Sequence, residues 1–126
     1  MRRWMVVVAA ALVAVDLAQK ASEPVYGHPR SYAYVAVACV IAAAVIAFVP
    51  RVPSRLLAAA GAIAVAGAVG DGASALLWRG GVPNPIVAGD VAFNAADVYA
   101  VTGALGLVCG AVVFAVRNPH LLHERL

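Results

Sequence analysis

The sequence predicts an all-α membrane protein, a single domain of four transmembrane helices with both termini in the cytoplasm. Three observations carry this reading. The 126 residues are 64% hydrophobic and only 12% charged, with a mean hydropathy of +0.93, whereas soluble domains run at roughly 45–50% apolar and about 25% charged. The apolar residues gather in four blocks close to the ~20 residues that a helix needs to cross a bilayer. Short connections rich in Pro, Gly and polar residues separate those blocks.

The first block spans 4–19 within "MRRWMVVVAAALVAVDLAQKAS". A basic start and an apolar core also resemble a cleavable secretory signal. Asp16, however, falls where the small-residue cleavage region would begin, and three spans follow, so an uncleaved first helix is expected. The second block covers 32–49 and ends in "PRVPSR" (50–55), a tight turn. The third, 56–78, reads "LLAAAGAIAVAGAVGDGASALLW" and contains Gly61, Gly67, Gly70 and Gly72. In water this would be a poor helix. In lipid, small residues let helices approach closely, which places this one in the middle of a bundle. The fourth block runs over 93–116, and no repeat of 20–50 residues is visible. Lys and Arg on short connections set orientation. With the N-terminus inside, the inner side holds Arg2, Arg3, Arg51, Arg55, Arg117 and Arg125, and the outer side holds Lys20, Arg30 and Arg79.

Several function classes lose support. The formal charge is +3 and the basic residues are scattered, so nucleic acid is not an expected partner. Cys39 and Cys109 lie inside apolar blocks with no Cys or His at ligand spacing, and read as small embedded hydrophobes. His28 is in an outer loop, while His120 and His123 are in the tail. Neither a metal site, a cofactor nor a Ser/His/Asp or Cys/His catalytic set is expected.

The carboxylates stand out instead. Glu23 and Glu124 belong to connections and need no special role. Asp16, Asp71 and Asp97 fall inside or at the edge of spans, and Asp90 just precedes the fourth. An ionisable group within a span is a functional-site hypothesis by default, since it costs about 2.5–3.5 kcal/mol at the helix centre. At about 1.5 Å rise per residue, Asp16 lies roughly 6 Å below Lys20, Asp71 roughly 10 Å below Trp78, and Asp97 roughly 6 Å inside Phe93. Three helices thus carry carboxylates to similar depth on the outer side, as a shared polar pocket would require. Bland roles compete. Asp16 and Lys20, four apart, share a face and can pair. Asn94 and Asp97 fit a capping box, Asp90 could cap a turn, and Asp71 could hydrogen-bond within the bundle. Two aspartates held side by side share one proton, and this is aspartic-protease chemistry.

These residues resemble a family. "VDLAQK", with Asp16 and Lys20, is similar to the D-x-x-x-K of the first helix of signal peptidase II, the lipoprotein signal peptidase. "FNAAD" (93–97) matches that family's F-N-x-A-D, whose Asp is one of two catalytic residues. "GAVGDGASALLWRGGVPNPI" (67–86) looks like a degraded form of G-x-x-G-N-x-x-D-R…G-x-V-x-D-F. The resemblance covers nearly the whole chain, including the four-helix, termini-inside topology. Position for position, the family's Asn falls on Asp71, its D-R pair on Ser74 and Ala75, and its other catalytic Asp on Asn84. The first outer loop lacks the family's N-x-G segment.

The resemblance implies an intramembrane aspartic endopeptidase of the bacterial cytoplasmic membrane, with its site facing the outer leaflet. Its partners would be prolipoprotein signal peptides and membrane lipid. Asp97 is then one catalytic residue. The second carboxylate is expected at Asp90, brought in by a turn at Val91–Ala92, or alternatively at Asp71. Asn94, Asp16, Lys20, Asn84 and Arg79 are the supporting or substrate-binding candidates. Asn84 favours an alternative, a catalytically inactive relative that binds lipidated peptides or a membrane partner. A third reading is a small carrier or proton-relay protein using Asp71 and Asp97.

Overall fold

The small residues of the third block place it at the centre of the bundle. The computed structural model describes residues 1–22 and 27–120, so Glu23, His123, Glu124 and Arg125 lie outside the described residues. Of the described residues 76% are helical, in α1 (Arg2–Ser22), α2 (Tyr32–Phe48), α3 (Arg55–Leu77) and α4 (Ala95–Arg117) and short turns. All four are long and apolar enough to span a membrane.

Helices α1, α2 and α4 all lean on α3. The reason is steric. Ala58, Ala60, Ala62, Ala66, Gly67 and Gly70 of α3 are buried, and such short side chains let three neighbours approach one axis. At Gly67 an added Cβ would stand 2.5 Å from the Ala100 nitrogen and 2.8 Å from the Ala96 oxygen of α4. The two backbones are therefore in direct contact there. Larger side chains fill the space around this axis. Met5 packs with Ala58 and Ala62 at one end, and Ala9, Ala42, Val65 and Ala66 form the middle.

The outward faces remain apolar, with Val7, Val40, Leu105 and Val116 exposed. Apolar surface on this scale is unusual for a protein in water and matches hydrocarbon surroundings. Cys39 and Cys109 are free thiols on exposed positions. The "PRVPSR" connection contains a 3-10 turn, Val49–Arg51, and Ser54 then caps α3 by accepting from the Leu57 N–H at 3.3 Å. Ser31 caps α2 in the same way through Tyr34 at 3.2 Å.

The connections at the opposite end depart from an all-α reading. β1 (Gly27–His28) pairs antiparallel with β2 (Val82–Pro83), and β3 (Ile86–Ala88) forms a hairpin with β4 (Val91–Phe93). Strands of two or three residues are too short to leave a period-2 pattern in the sequence. Gly89, at φ 61°, opens the two-residue turn of the hairpin, where a positive φ suits glycine.

Because Gly67 meets backbone rather than a movable side chain, Gly67→Leu should separate α3 from α4. We expect a loss of about 1–3 kcal/mol or more, read as a lowered unfolding midpoint in detergent. Val40→Ala on the outward face should leave that midpoint nearly unchanged.

Candidate functional site

Asp16 and Lys20 share a face of α1, one turn apart, and that face turns inward. Lys20 is 0% exposed. Its ammonium donates to Asp16 Oδ2 at 2.7 Å, Asp71 Oδ1 at 3.0 Å and Ser74 Oγ at 2.9 Å. An ammonium has three donors, and all three are used. Ser74 donates onward to the Gly70 carbonyl at 2.6 Å. Asp71 and Ser74 stand three apart on α3, so one face of that helix presents both to Lys20.

The other oxygen of Asp16 reaches a third helix, accepting from the Ala96 N–H at 2.8 Å. The first N–H groups of a helix lack partners within it, and at α4 each of them finds one. Ala95 donates to Gln19 Oε1 at 3.1 Å, and Asp97 donates to Asn94 Oδ1 at 3.1 Å. Asp97 Oδ2 in turn accepts from the Asn94 N–H at 3.1 Å, completing a reciprocal capping box. The start of α4 is thus capped partly by itself and partly by α1. A carboxylate is also favoured there by the helix dipole.

Asp71 and Asp97 meet on the far side of this network. Both carboxylates converge on the Arg30 guanidinium. Arg30 Nη2 lies 3.9 Å from Asp71 Oδ2 and 3.9 Å from Asp97 Oδ1. The Tyr34 hydroxyl donates to Asp71 Oδ2 at 3.2 Å, and the Arg30 guanidinium lies over the Tyr34 ring at 4.9 Å. The Asp71 side chain is 4% exposed and the Asp97 side chain 32%. Asp97 is the open face of the pair.

Asn84 is buried against the Asn94 cap of α4. Asn94 Nδ2 donates to Asn84 Oδ1 at 2.7 Å and to the Pro83 carbonyl at 3.3 Å. With its oxygen so engaged, Asn84 directs Nδ2 to His28 Nδ1 at 3.0 Å. The β1–β2 pairing brings those two residues together.

Asp90 is placed differently from the expected geometry. Val91 and Ala92 do not turn; they belong to β4, and the turn comes earlier, at Gly89 and Asp90. Asp90 is exposed at the hairpin tip, in a cleft with His28 and Val87. About 13 Å of extended chain separates it from Asn94, at ~3.3 Å per residue. The ladder that holds Val91–Phe93 straight keeps this carboxylate away from Asp97. Arg79, just beyond the α3 C-cap Trp78, is exposed and lines a cavity with Arg30.

Of the residues at the site, Arg30, Tyr34 and Gln19 carry no motif. Ser74 could have been found from its helical spacing to Asp71. Gln19, Arg30 and Tyr34 are recruited by contacts between distant segments, and only the packed bundle reveals them. Among the described residues no group of three His, Cys, Asp or Glu side chains is placed to hold a metal ion.

The cluster holds three carboxyl groups, Asp16, Asp71 and Asp97, against two cations, Lys20 and Arg30. One formal negative charge remains uncompensated. Adjacent carboxyls share a proton because both cannot ionise side by side. Such a pair can activate a water and protonate a carbonyl. Compared with protein-family models, curated proteins and solved structures, the chain matches none.

Removing Lys20 would leave two buried carboxylates without their shared cation. Lys20→Met should cost about 3–5 kcal/mol of stability, as for other broken buried ion pairs. Adding Asp16→Asn and Asp71→Asn to Lys20→Met should restore part of that loss. Chemical denaturation in micelles, followed by helical circular dichroism, measures both.

Proposed function

We propose that the chain is a signal peptidase II-like intramembrane aspartic endopeptidase. In this reading it sits in the bacterial cytoplasmic membrane as a multi-pass protein and removes signal peptides from lipid-modified prolipoproteins. The observation that carries the reading is the convergence of Asp71 and Asp97, from two helices, on one guanidinium, with one excess negative charge and one face open. An apolar groove of about 270 Å³ supports it. The groove runs between α2 and α4 over the small residues of α3, past Ile41, Ala64, Gly67 and Ala104, and reaches Tyr34 beside the pair. A membrane-embedded peptide segment would enter it laterally. The excess of Arg on the connections at the opposite end supports both termini in the cytoplasm and the pair near the outer leaflet.

The chemistry follows from the shared proton. The ionised member of the pair takes a proton from water as that water attacks the scissile carbonyl carbon. The protonated member donates to the carbonyl oxygen, and the tetrahedral intermediate collapses as the leaving nitrogen is protonated. Asp16 and Lys20 hold Asp71 in place, and Asn94 holds Asp97 through the capping box. Asn84 fixes Asn94, and Arg30 balances charge above the pair.

One observation favours a second reading, a relative that binds lipidated peptides or a membrane partner without cutting them. Asn84 occupies the position of the family's other catalytic Asp, and both ends of its amide are engaged by Asn94 and His28.

Incubation of the purified protein with a lipid-modified prolipoprotein separates the two. Cleavage is expected, with Asp97→Asn and Asp71→Asn each losing at least about 100-fold, the scale of a lost acid or base. Asp90→Asn should stay within twofold. No cleavage by the unmutated protein, where a signal peptidase II cuts the same substrate, would sink the enzymatic reading. Retained binding of the substrate would then establish the second.

A further inference from the structure

We propose that the cleft between the start of α2 and the end of α3 binds a phosphate group, carried there by an anionic phospholipid. The cleft has a volume of about 430 Å³ and is lined by Arg30, Tyr32, Val35, Ala75, Leu76 and Arg79. No carboxylate is among these residues. Two guanidinium groups from different connections therefore border one space. Among the described residues neither of them donates a hydrogen bond to protein. Arg30 lies 3.9 Å from its carboxylates, beyond ordinary hydrogen-bond distance, and its flat face rests on Tyr34. Its N–H edge is left to serve another acceptor. A guanidinium fork suits phosphate oxygens.

The remaining lining chooses the source of the phosphate. Val35, Ala75 and Leu76 supply the smaller, apolar part of the lining, and Leu76 and its neighbour Leu77 are 62% and 65% exposed. The cleft lies where two membrane-length helices end. A ligand with a charged head and an apolar tail satisfies both parts, while free phosphate satisfies only the arginines. This binding does not depend on whether Asp71 and Asp97 cleave anything.

The test uses the full chain in micelles, titrated with short-chain phosphatidylglycerol, phosphatidylcholine and inorganic phosphate, with bound ligand counted by native mass spectrometry. Preferential binding of phosphatidylglycerol is expected, weakened at least tenfold by Arg30→Gln and by Arg79→Gln. Arg117→Gln, an exposed arginine at the other end, measures general attraction of an anionic lipid to one cation, about fivefold at most. Equal losses in all three variants, or no loss in the first two, would overturn the proposal. So would inorganic phosphate binding as tightly as phosphatidylglycerol, since the apolar side chains would then contribute nothing. Because the readout is lipid binding, its failure is distinct from a failure to cleave.

Discussion

The arrangement of the polar end depends on one buried ammonium. An unpaired charge inside a low-dielectric bundle costs several kcal/mol, so Lys20 is tolerated only when its partners are in place. Those partners come from α1 and α3, and Asp16 extends the same set to the first turn of α4. A slip of any of these three helices by one turn would strand either the ammonium or a carboxylate. The small residues of α3 bring the helices close, but close packing along an Ala- and Gly-rich surface specifies axial position poorly. The charged cluster supplies that specification.

The same constraint shapes the pair formed by Asp71 and Asp97. Asp71 is fixed from below by Lys20 and from the side by Tyr34, and Asp97 is fixed by the N-terminus of its own helix. Neither carboxyl depends on the connections for its position. Placement on rigid elements is what an active site requires, and it also accounts for an inert structural cluster. The open face of Asp97 and the groove leading to Tyr34 are what a purely structural cluster would not need. The hairpin of β3 and β4 adds a further element to this end, and it holds Asp90 at its tip, out of the cluster.

Much of the fold was legible because hydrophobic blocks and their spacing act locally. The four helices, the central place of the Ala/Gly-rich α3 and the Asp16–Lys20 pairing follow from composition and from helical periodicity. The capping box at Asn94 and Asp97 was legible for the same reason, since its partners stand three residues apart. The second carboxylate was harder to place. Asp90 and Asp71 are both plausible from sequence, and the choice turns on where the chain reverses before α4. A reversal at Gly89 rather than at Val91–Ala92 depends on which residues pair across the hairpin, and residues so few leave no readable pattern.

What the sequence determined alone is therefore a bundle of four apolar helices with carboxylates at one end, because burial in an apolar solvent is encoded by the residue types themselves. The tertiary structure decided which of those carboxylates face each other. It also brought in Arg30, Tyr34 and Gln19, whose roles exist only once α1, α2 and α4 have closed around α3. Charges act over a few ångströms, and such distances between segments far apart in the chain are set by packing.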